Sequence, residues 1–496
     1  MSDAWRPVTA TSKMVHSSPS SLIKLECHIP HSAIETGPMQ FRASHFQAFC
    51  AVLIACVGPV FLNSAALGQK KTAPTEATAP PVREEFKFTS VDLELLEQVE
   101  LLDKRYDRDG LVLDDPATNE YISRIGRPLI PKELAVEKVV WKFRILRDPQ
   151  PNAFALPNGS IYVTTGLVSL IDNESQMAGI LAHEMTHVLA RHAYMQNRSN
   201  RKKFLTMNIM SAVAAYAPGG GIGAAIYAAA SIAPYIVMSS MYGYSRDLER
   251  EADHRAIDMM VSAEYPPEEL IGLLKALSND IEGEQIKVFY NDHPQLDERI
   301  QYLTQYLGER ATKTTPQMEL NKERSVYFGR MEPVMRQNVP LAINAGRYRS
   351  AVFFAGRLVE FHPASSENTF LLAEAYRTLG PRPVQFSTSE LSNGDKKDLQ
   401  KKRDKQTLDE EEAALLATSA GKDNWKVNAD KAEQYYNQAL KMDEPFLAAH
   451  RGLGMLYEKL GRPADAIAEY EKYLSLVPTA FDLERIQRRL DALKKN

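Results

Sequence analysis

Two histidines four residues apart, with a glutamate directly after the first, constrain this chain more than any other feature. His183-Glu184-Met185-Thr186-His187 lies in residues 178–196, among Ile180, Leu181, Val188, Leu189 and Ala190, with no glycine or proline after Gly179. Such a run predicts a helix. Side chains four apart share a helix face, so His183 and His187 point the same way and can grip one metal ion. Glu184 stands beside them, placed to reach a water at that ion rather than the ion itself. The plainer alternative is a solvated helix face. It leaves two imidazoles and a carboxylate on an otherwise apolar helix unexplained.

A catalytic zinc takes three protein ligands and keeps one position for water. Cys27, Cys50 and Cys56 are the three cysteines of the 496-residue chain, so the rest of it can form no internal disulfide and no thiolate site. The remaining ligand must be His or carboxylate. No glycine or proline interrupts residues 244–264, which predicts a second helix carrying Ser245-Arg246-Asp247-Leu248-Glu249-Arg250-Glu251-Ala252-Asp253. Glu249 and Asp253 share a face of it. Glu249 is the candidate third ligand, and Asp253 the candidate acceptor for a ring N–H of His183, which would set that histidine's tautomer. A charged solvated face is the default for so many ions; the need for an acidic ligand outweighs it here.

Upstream, residues 90–106 and 117–130 predict helices, and residues 139–146 alternate as a strand. Asn152-Ala153-Phe154-Ala155-Leu156 and Ser160-Ile161-Tyr162-Val163-Thr164 flank Pro157-Asn158-Gly159, which predicts a hairpin. An edge strand just before the metal helix would offer backbone groups to an extended peptide; a plain scaffold hairpin is the other reading. Asp172-Asn173-Glu174 should cap the metal helix. Residues 204–241 form two apolar stretches broken by Pro218-Gly219-Gly220-Gly221. They read as two small-residue core helices, a lid over the site, or a membrane-dipping segment. His293-Pro294 and Arg299 follow; taken alone, His293 reads as a surface histidine.

Asn152-Ala153-Phe154, His183-Glu184-x-x-His187, Glu249-x-x-Ala252-Asp253 and His293-Pro294 with Arg299, in that order, resemble the secreted relatives of the CAAX prenyl protease family of zinc metallopeptidases. Together with the C-terminal repeats below, they are most similar to envelope members of the Gram-negative periplasm. The likeness covers about residues 90–305 and the tail. One departure is Pro157-Asn158-Gly159, where the family often has Pro-Gly-Gly; the turn survives it. The resemblance implies one zinc ion per chain on His183, His187 and Glu249, with Glu184 as catalytic base. It raises His293 to an active-site residue that either caps the zinc or stabilises the oxyanion, and it favours Asn152, Ala153, Phe154 and Ala155 as a substrate-binding edge. The multiple membrane spans of the prenyl proteases are missing from the sequence, which argues against a prenylated substrate.

Toward the C-terminus, Ala432 and Ala466, Tyr436 and Tyr470, and Leu440 and Leu474 are each 34 residues apart. That period, with Pro478 closing the second unit, is the tetratricopeptide signature. Tyr376 and Gly380 match Tyr457 and Gly461 at an offset of 81. Stacked helix pairs build a concave surface suited to a protein partner, or serve as a stabilising cap.

The expected fold is therefore mainly α: an α+β zincin-like metallopeptidase domain with a small sheet over residues 90–310, then an all-α repeat domain. Residues 311–340 are expected to connect them, 341–380 to form a repeat-like helix pair, 381–424 a charged flexible insertion, and 425–496 tetratricopeptide repeats. Residues 1–68 read as a leader whose true start is Met39, ending in a cleaved signal peptide. A lipoprotein signal at Cys56 and an uncleaved anchor are the alternatives. Residues 69–89 read as a linker. Each reading places the working chain outside the cytoplasm, on the periplasmic side. At a net charge of −4 no nucleic-acid partner is expected. The expected function is a zinc-dependent endopeptidase acting on envelope proteins, in quality control or outer-membrane protein assembly. Its partners are peptide substrates, assembly machinery through the repeats, and possible contact with a membrane surface. The alternative is a latent-protease scaffold or chaperone.

Overall fold

The computed structural model describes residues 86–131, 138–199, 244–278, 296–309, 317–384, 407–442, 446–476 and 482–495. The leader, the linker up to residue 85, the apolar segment 204–241 and His293 lie outside these residues.

The protease part is built around one small sheet and one buried helix. β1 (Lys142–Leu146) pairs in parallel with β3 (Ser160–Thr164), and β2 (Ala153–Ala155) pairs antiparallel with β3. The order β1-β3-β2 leaves β2 at the edge. The expected hairpin is β2–β3. Its turn puts Gly159 at φ +95°, where an L side chain is strained, and Asn158 Oδ1 accepts the Ser160 N–H at 3.0 Å. The parallel partner β1 is tied in from further up the chain, which periodicity does not report.

Side chains alternate across the sheet. Phe143, Ile145, Ile161 and Val163 enter the main core; Leu146, Phe154 and Tyr162 enter a second cluster with Leu95, Val99 and Tyr106 of α1 (Ser90–Arg108). α2 (Pro116–Gly126), N-capped by Asp115, lies over the first face.

β3 runs directly into α3 (Thr165–Leu170). The Thr164 hydroxyl caps it, accepting the Leu167 N–H at 3.2 Å. Asn173 then caps α4 (Glu174–Leu189), its Oδ1 accepting the Gln176 N–H at 2.8 Å. Every residue of α4 from Ser175 to Val188 is buried. A helix buried all round is a core element, so its polar side chains must find partners inside the protein. α4 ends at Leu189, and Arg191, a non-glycine residue at φ 60°, makes the turn into α5 (His192–Ser199).

α6 (Arg246–Ser262) packs along α4, followed by α7 (Glu268–Ser278) and α8 (Leu296–Gly308). The stretch expected as a connector over 311–340 is for the most part α9 (Gln317–Asn344), a core helix. Tyr327, Phe328, Met331, Val334, Met335 and Val339 of α9 are buried, and Tyr327 Oη donates to Val168 O at 2.9 Å. Pro333 and Pro340 lie inside α9; burial of this face outweighs the bonds they remove.

The repeat region comprises α10 (Tyr348–Phe361) with α11 (Ser366–Leu379), then α12 (Leu408–Leu416), α13 (Ser419–Met442) with α14 (Leu447–Lys459), and α15 (Pro463–Leu476) with α16 (Leu483–Lys495). Tyr436 and Tyr470, the aromatics of the 34-residue period, are buried against Gly452 and Gly454 of α14. The flexible insertion expected over 381–424 is corrected in its second half. Thr407 and Glu410 form a capping box that starts α12, and α13 begins at Ser419. The acid run is not merely solvated, because Glu411 Oε2 accepts from buried Arg382 at 2.8 and 3.0 Å. No described helix is long and apolar enough to cross a membrane.

Candidate metal centre

α4 and α6 meet so that His183, His187 and Glu249, all buried, bring one ligand atom each to within 4.8 Å of one another. His183 Nε2 is 3.1 Å from His187 Nε2. Glu249 Oε2 is 3.5 Å from the first, and Glu249 Oε1 is 3.5 Å from the second. Ligands about 2.0–2.1 Å from a tetrahedral zinc stand about 3.3 Å apart. The three edges bracket that value. Two ring nitrogens at 3.1 Å share either a proton or a metal ion, and two neutral imidazoles with one carboxylate form a His2Glu donor set suited to zinc.

The surroundings orient these groups. His183 Nδ1 is 2.9 Å from Asp253 Oδ1, one turn along α6 from Glu249. Asp253 also receives a bidentate clamp from Arg299 of α8, Nε to Oδ2 at 2.9 Å and Nη2 to Oδ1 at 2.6 Å. The Tyr302 hydroxyl donates to the same carboxylate. Arg299 Nη1 lies 3.4 Å from Glu249 Oε2. Burial pushes Asp253 toward the neutral acid, but Arg299 and His183 outweigh it and hold the carboxyl well below the usual range. Burial and Arg299 act to lower His183. Asp253 and Glu249 outweigh them, and in the metal-free protein its pKa is pushed up to about 9. Arg299 is held above its ordinary value by the same two acids, against the effect of burial.

Glu184 follows His183 on α4 and is buried beside the centre. Of the edge expected to bind substrate, Asn152, Ala153 and Phe154 are buried, and the Phe154 ring stacks on Tyr162 at 5.2 Å. That leaves Ala155 as the partly open position. Ala155 and Pro157 lie close to His187, Val188, Arg191 and Tyr194 in a shallow dip with no room for a water-sized group.

Arg299 was legible only as part of a motif, without a role. Tyr302, His192 and Tyr244 carried no sequence signal at all. His187 Nδ1 sits 2.9 Å from His192 Nδ1, and Tyr244 stacks on the His187 ring at 4.0 Å. Each of these contacts joins residues from separate elements, or across the turn at Arg191.

The peptidase family M48 model matches residues 116–307, and a tetratricopeptide repeat model matches residues 447–480. The mitochondrial metalloendopeptidase OMA1 of Schizosaccharomyces pombe is 27% identical over 199 residues, 40% of this chain and 55% of that one. The beta-barrel assembly-enhancing protease of Escherichia coli K12 is 28% identical over 172 residues, 34% of each chain. Its Vibrio cholerae counterpart is 35% identical over 162 residues, 31% of each. The chain thus spans about half of the first relative and about a third of the other two. Residues 116–307 of this chain are a peptidase family M48 domain, with a tetratricopeptide repeat following it.

Proposed function

We propose that the protein is a zinc-dependent endopeptidase. The observation that carries this reading is the buried convergence of His183, His187 and Glu249 at tetrahedral ligand spacing, with Glu184 adjacent on the same helix. Zinc held there supplies Lewis acidity toward a peptide carbonyl and the water that attacks it. Glu184 takes the proton of the attacking water and delivers it to the leaving amine nitrogen. Asp253, fixed by Arg299 and Tyr302, keeps the His183 proton on Nδ1 and its Nε2 lone pair on the ligand side. The edge of β2 beside α4 presents backbone groups to an extended peptide. His293 is the further residue proposed to cap the centre or stabilise the oxyanion.

The names of the relatives and the repeat region support a substrate among cell-envelope proteins, with assembly machinery engaged through the repeats. This reading includes export by the N-terminal leader and work on the periplasmic side. The test is Glu184→Gln. The variant should retain one zinc per chain by metal analysis and lose at least about a hundredfold of casein hydrolysis, the scale of general-base loss. Hydrolysis retained in a zinc-loaded Gln variant would refute the base. An unaltered chain that holds zinc and cleaves nothing, with or without His293→Ala, would favour the scaffold alternative.

A further inference from the structure

The two metal-facing imidazoles are backed by different chemistry. His183 leans on a carboxylate. His187 leans on another imidazole, that of His192, which is fully buried at the start of α5. We propose that His192 is a positioning residue for His187: it accepts the His187 Nδ1–H and thereby keeps the His187 Nε2 lone pair aimed at the metal position. This rests on the metallopeptidase reading above.

Four observations carry it. First, the Nδ1–Nδ1 separation of 2.9 Å is a hydrogen bond, in which one nitrogen holds the proton and the other accepts it. His187 Nε2 already faces His183 Nε2 at 3.1 Å, so a ligand at that position needs its proton on Nδ1. His192 Nδ1 is then the acceptor, and its own proton sits on Nε2.

Second, that Nε2 lies 3.5 Å from Glu251 Oε2. Glu251 also pairs with Arg255 at 2.9 Å. It stands on α6 midway between Glu249 and Asp253. One helix therefore carries the acidic ligand, the direct partner of His183, and a carboxylate 3.5 Å from His192, beyond an ordinary hydrogen bond.

Third, the backbone bends to make the contact. Arg191 adopts φ 60°, a conformation that costs a side-chain-bearing residue energy and persists only where its surroundings enforce it. Its guanidinium lies over Phe86, Phe88 and Tyr194, at 5.4, 5.1 and 5.6 Å from their ring centres. The turn so held brings His192 back against His187.

Fourth, Tyr244 stacks on His187 with ring planes 13° apart and lies 5.6 Å from the His192 ring. The stack sets the plane of the ligand ring, and the hydrogen bond sets its rotation within that plane.

A neutral acceptor fixes the ring without adding negative charge to a centre that already holds Glu249 and Asp253. A partner behind a ligand histidine is ordinarily worth about 10–100-fold in metal affinity. The experiment uses the full chain with His192→Leu and His192→Asn; Asn carries an acceptor oxygen where the His192 Nδ1 stands. Zinc affinity is measured by chelator competition, with the fold checked by circular dichroism and urea unfolding. Leu is expected to weaken zinc by 10–100-fold and Asn to recover most of that loss. In the unaltered zinc-loaded chain, ¹⁵N NMR should show the His187 proton on Nδ1. A Leu variant within twofold of the unaltered chain, equal losses in folded Leu and Asn variants, or a proton on His187 Nε2 would overturn the proposal. Should the Leu variant not fold, the NMR result and the Asn variant decide. If the unaltered chain binds no zinc, the metallopeptidase reading falls first; if it binds zinc and the Leu variant matches it, only the role of His192 falls.

Discussion

Arg357 of α10 ties the repeat region to the protease domain, and replacing it by methionine should cost about 2–4 kcal/mol of stability. Its guanidinium is buried and donates to Ser169 O at 2.6 Å, Leu170 O at 2.5 Å, Ile171 O at 3.1 Å and Asp172 Oδ1 at 2.5 Å. The carbonyls belong to the end of α3 and the link to α4, groups that a helix cannot satisfy by itself. Methionine keeps most of the stem volume and donates nothing. Stranding three buried carbonyls costs about 1–3 kcal/mol each. Water entry and relief of a desolvated cation return part of that, which leaves the net figure above. Asp172 is partly solvated and adds little. Urea unfolding of the full zinc-loaded chain, at matched zinc, gives the comparison. Arg357→Lys, with one compact donor group in place of the fork, should fall between. Hydrogen exchange should quicken first at residues 171–176, where α4 begins. A methionine variant within about 0.5 kcal/mol of the unaltered chain would refute the reasoning, because that is the scatter of surface substitutions.

Two further outcomes follow from the same reading of burial. Asp148 is buried, and desolvation pushes its pKa up to about 6 from 3.8 despite the Gln150 N–H and Arg347, so its ionisation opposes folding. That cost is absent below about pH 4, grows as pH rises and is complete above about pH 6, where a shift of this size is worth at most about 3 kcal/mol. Asp148→Asn keeps the acceptor that holds Gln150 N at 2.8 Å, so it should stabilise at pH 8 and lose that advantage toward pH 4; equal gains at both would contradict the shift. In the repeats, a Cβ on Gly454 would stand 2.5 Å from the Tyr470 ring, whereas one on Gly356 meets nothing within 4 Å. Gly454→Ala should therefore destabilise by about 1–3 kcal/mol and Gly356→Ala be neutral or stabilising by up to about 1 kcal/mol in thermal unfolding; the reverse order would contradict the packing.

Local spacing made much of this molecule legible. The helix carrying His183, Glu184 and His187, the turn at Pro157-Asn158-Gly159 and the 34-residue period all show within a few turns of chain. Each depends on backbone geometry that neighbours in sequence share. Glu249 was legible as a candidate for a chemical reason: the third ligand had to be His or carboxylate, and one helix offered an acid four residues from an aspartate; the structure brings it to the two histidines. Charge runs misled. Glu410, Glu411 and Glu412 resemble a solvated stretch, yet they cap a helix and pair with a buried arginine.

The amino-acid order by itself determined the two helices that carry the candidate ligands, the hairpin before them, and where the 34-residue repeats fall. Tertiary structure decided how the ligands are held. Arg299 reaches Asp253 from α8, His192 reaches His187 only through a strained bend, and Arg357 reaches the start of the metal helix from the repeats. A periodic pattern reports burial of a face. It says nothing of which buried donor meets which acceptor, because that depends on chain segments tens to hundreds of residues apart closing around one another, where an unmet polar group is too costly to leave.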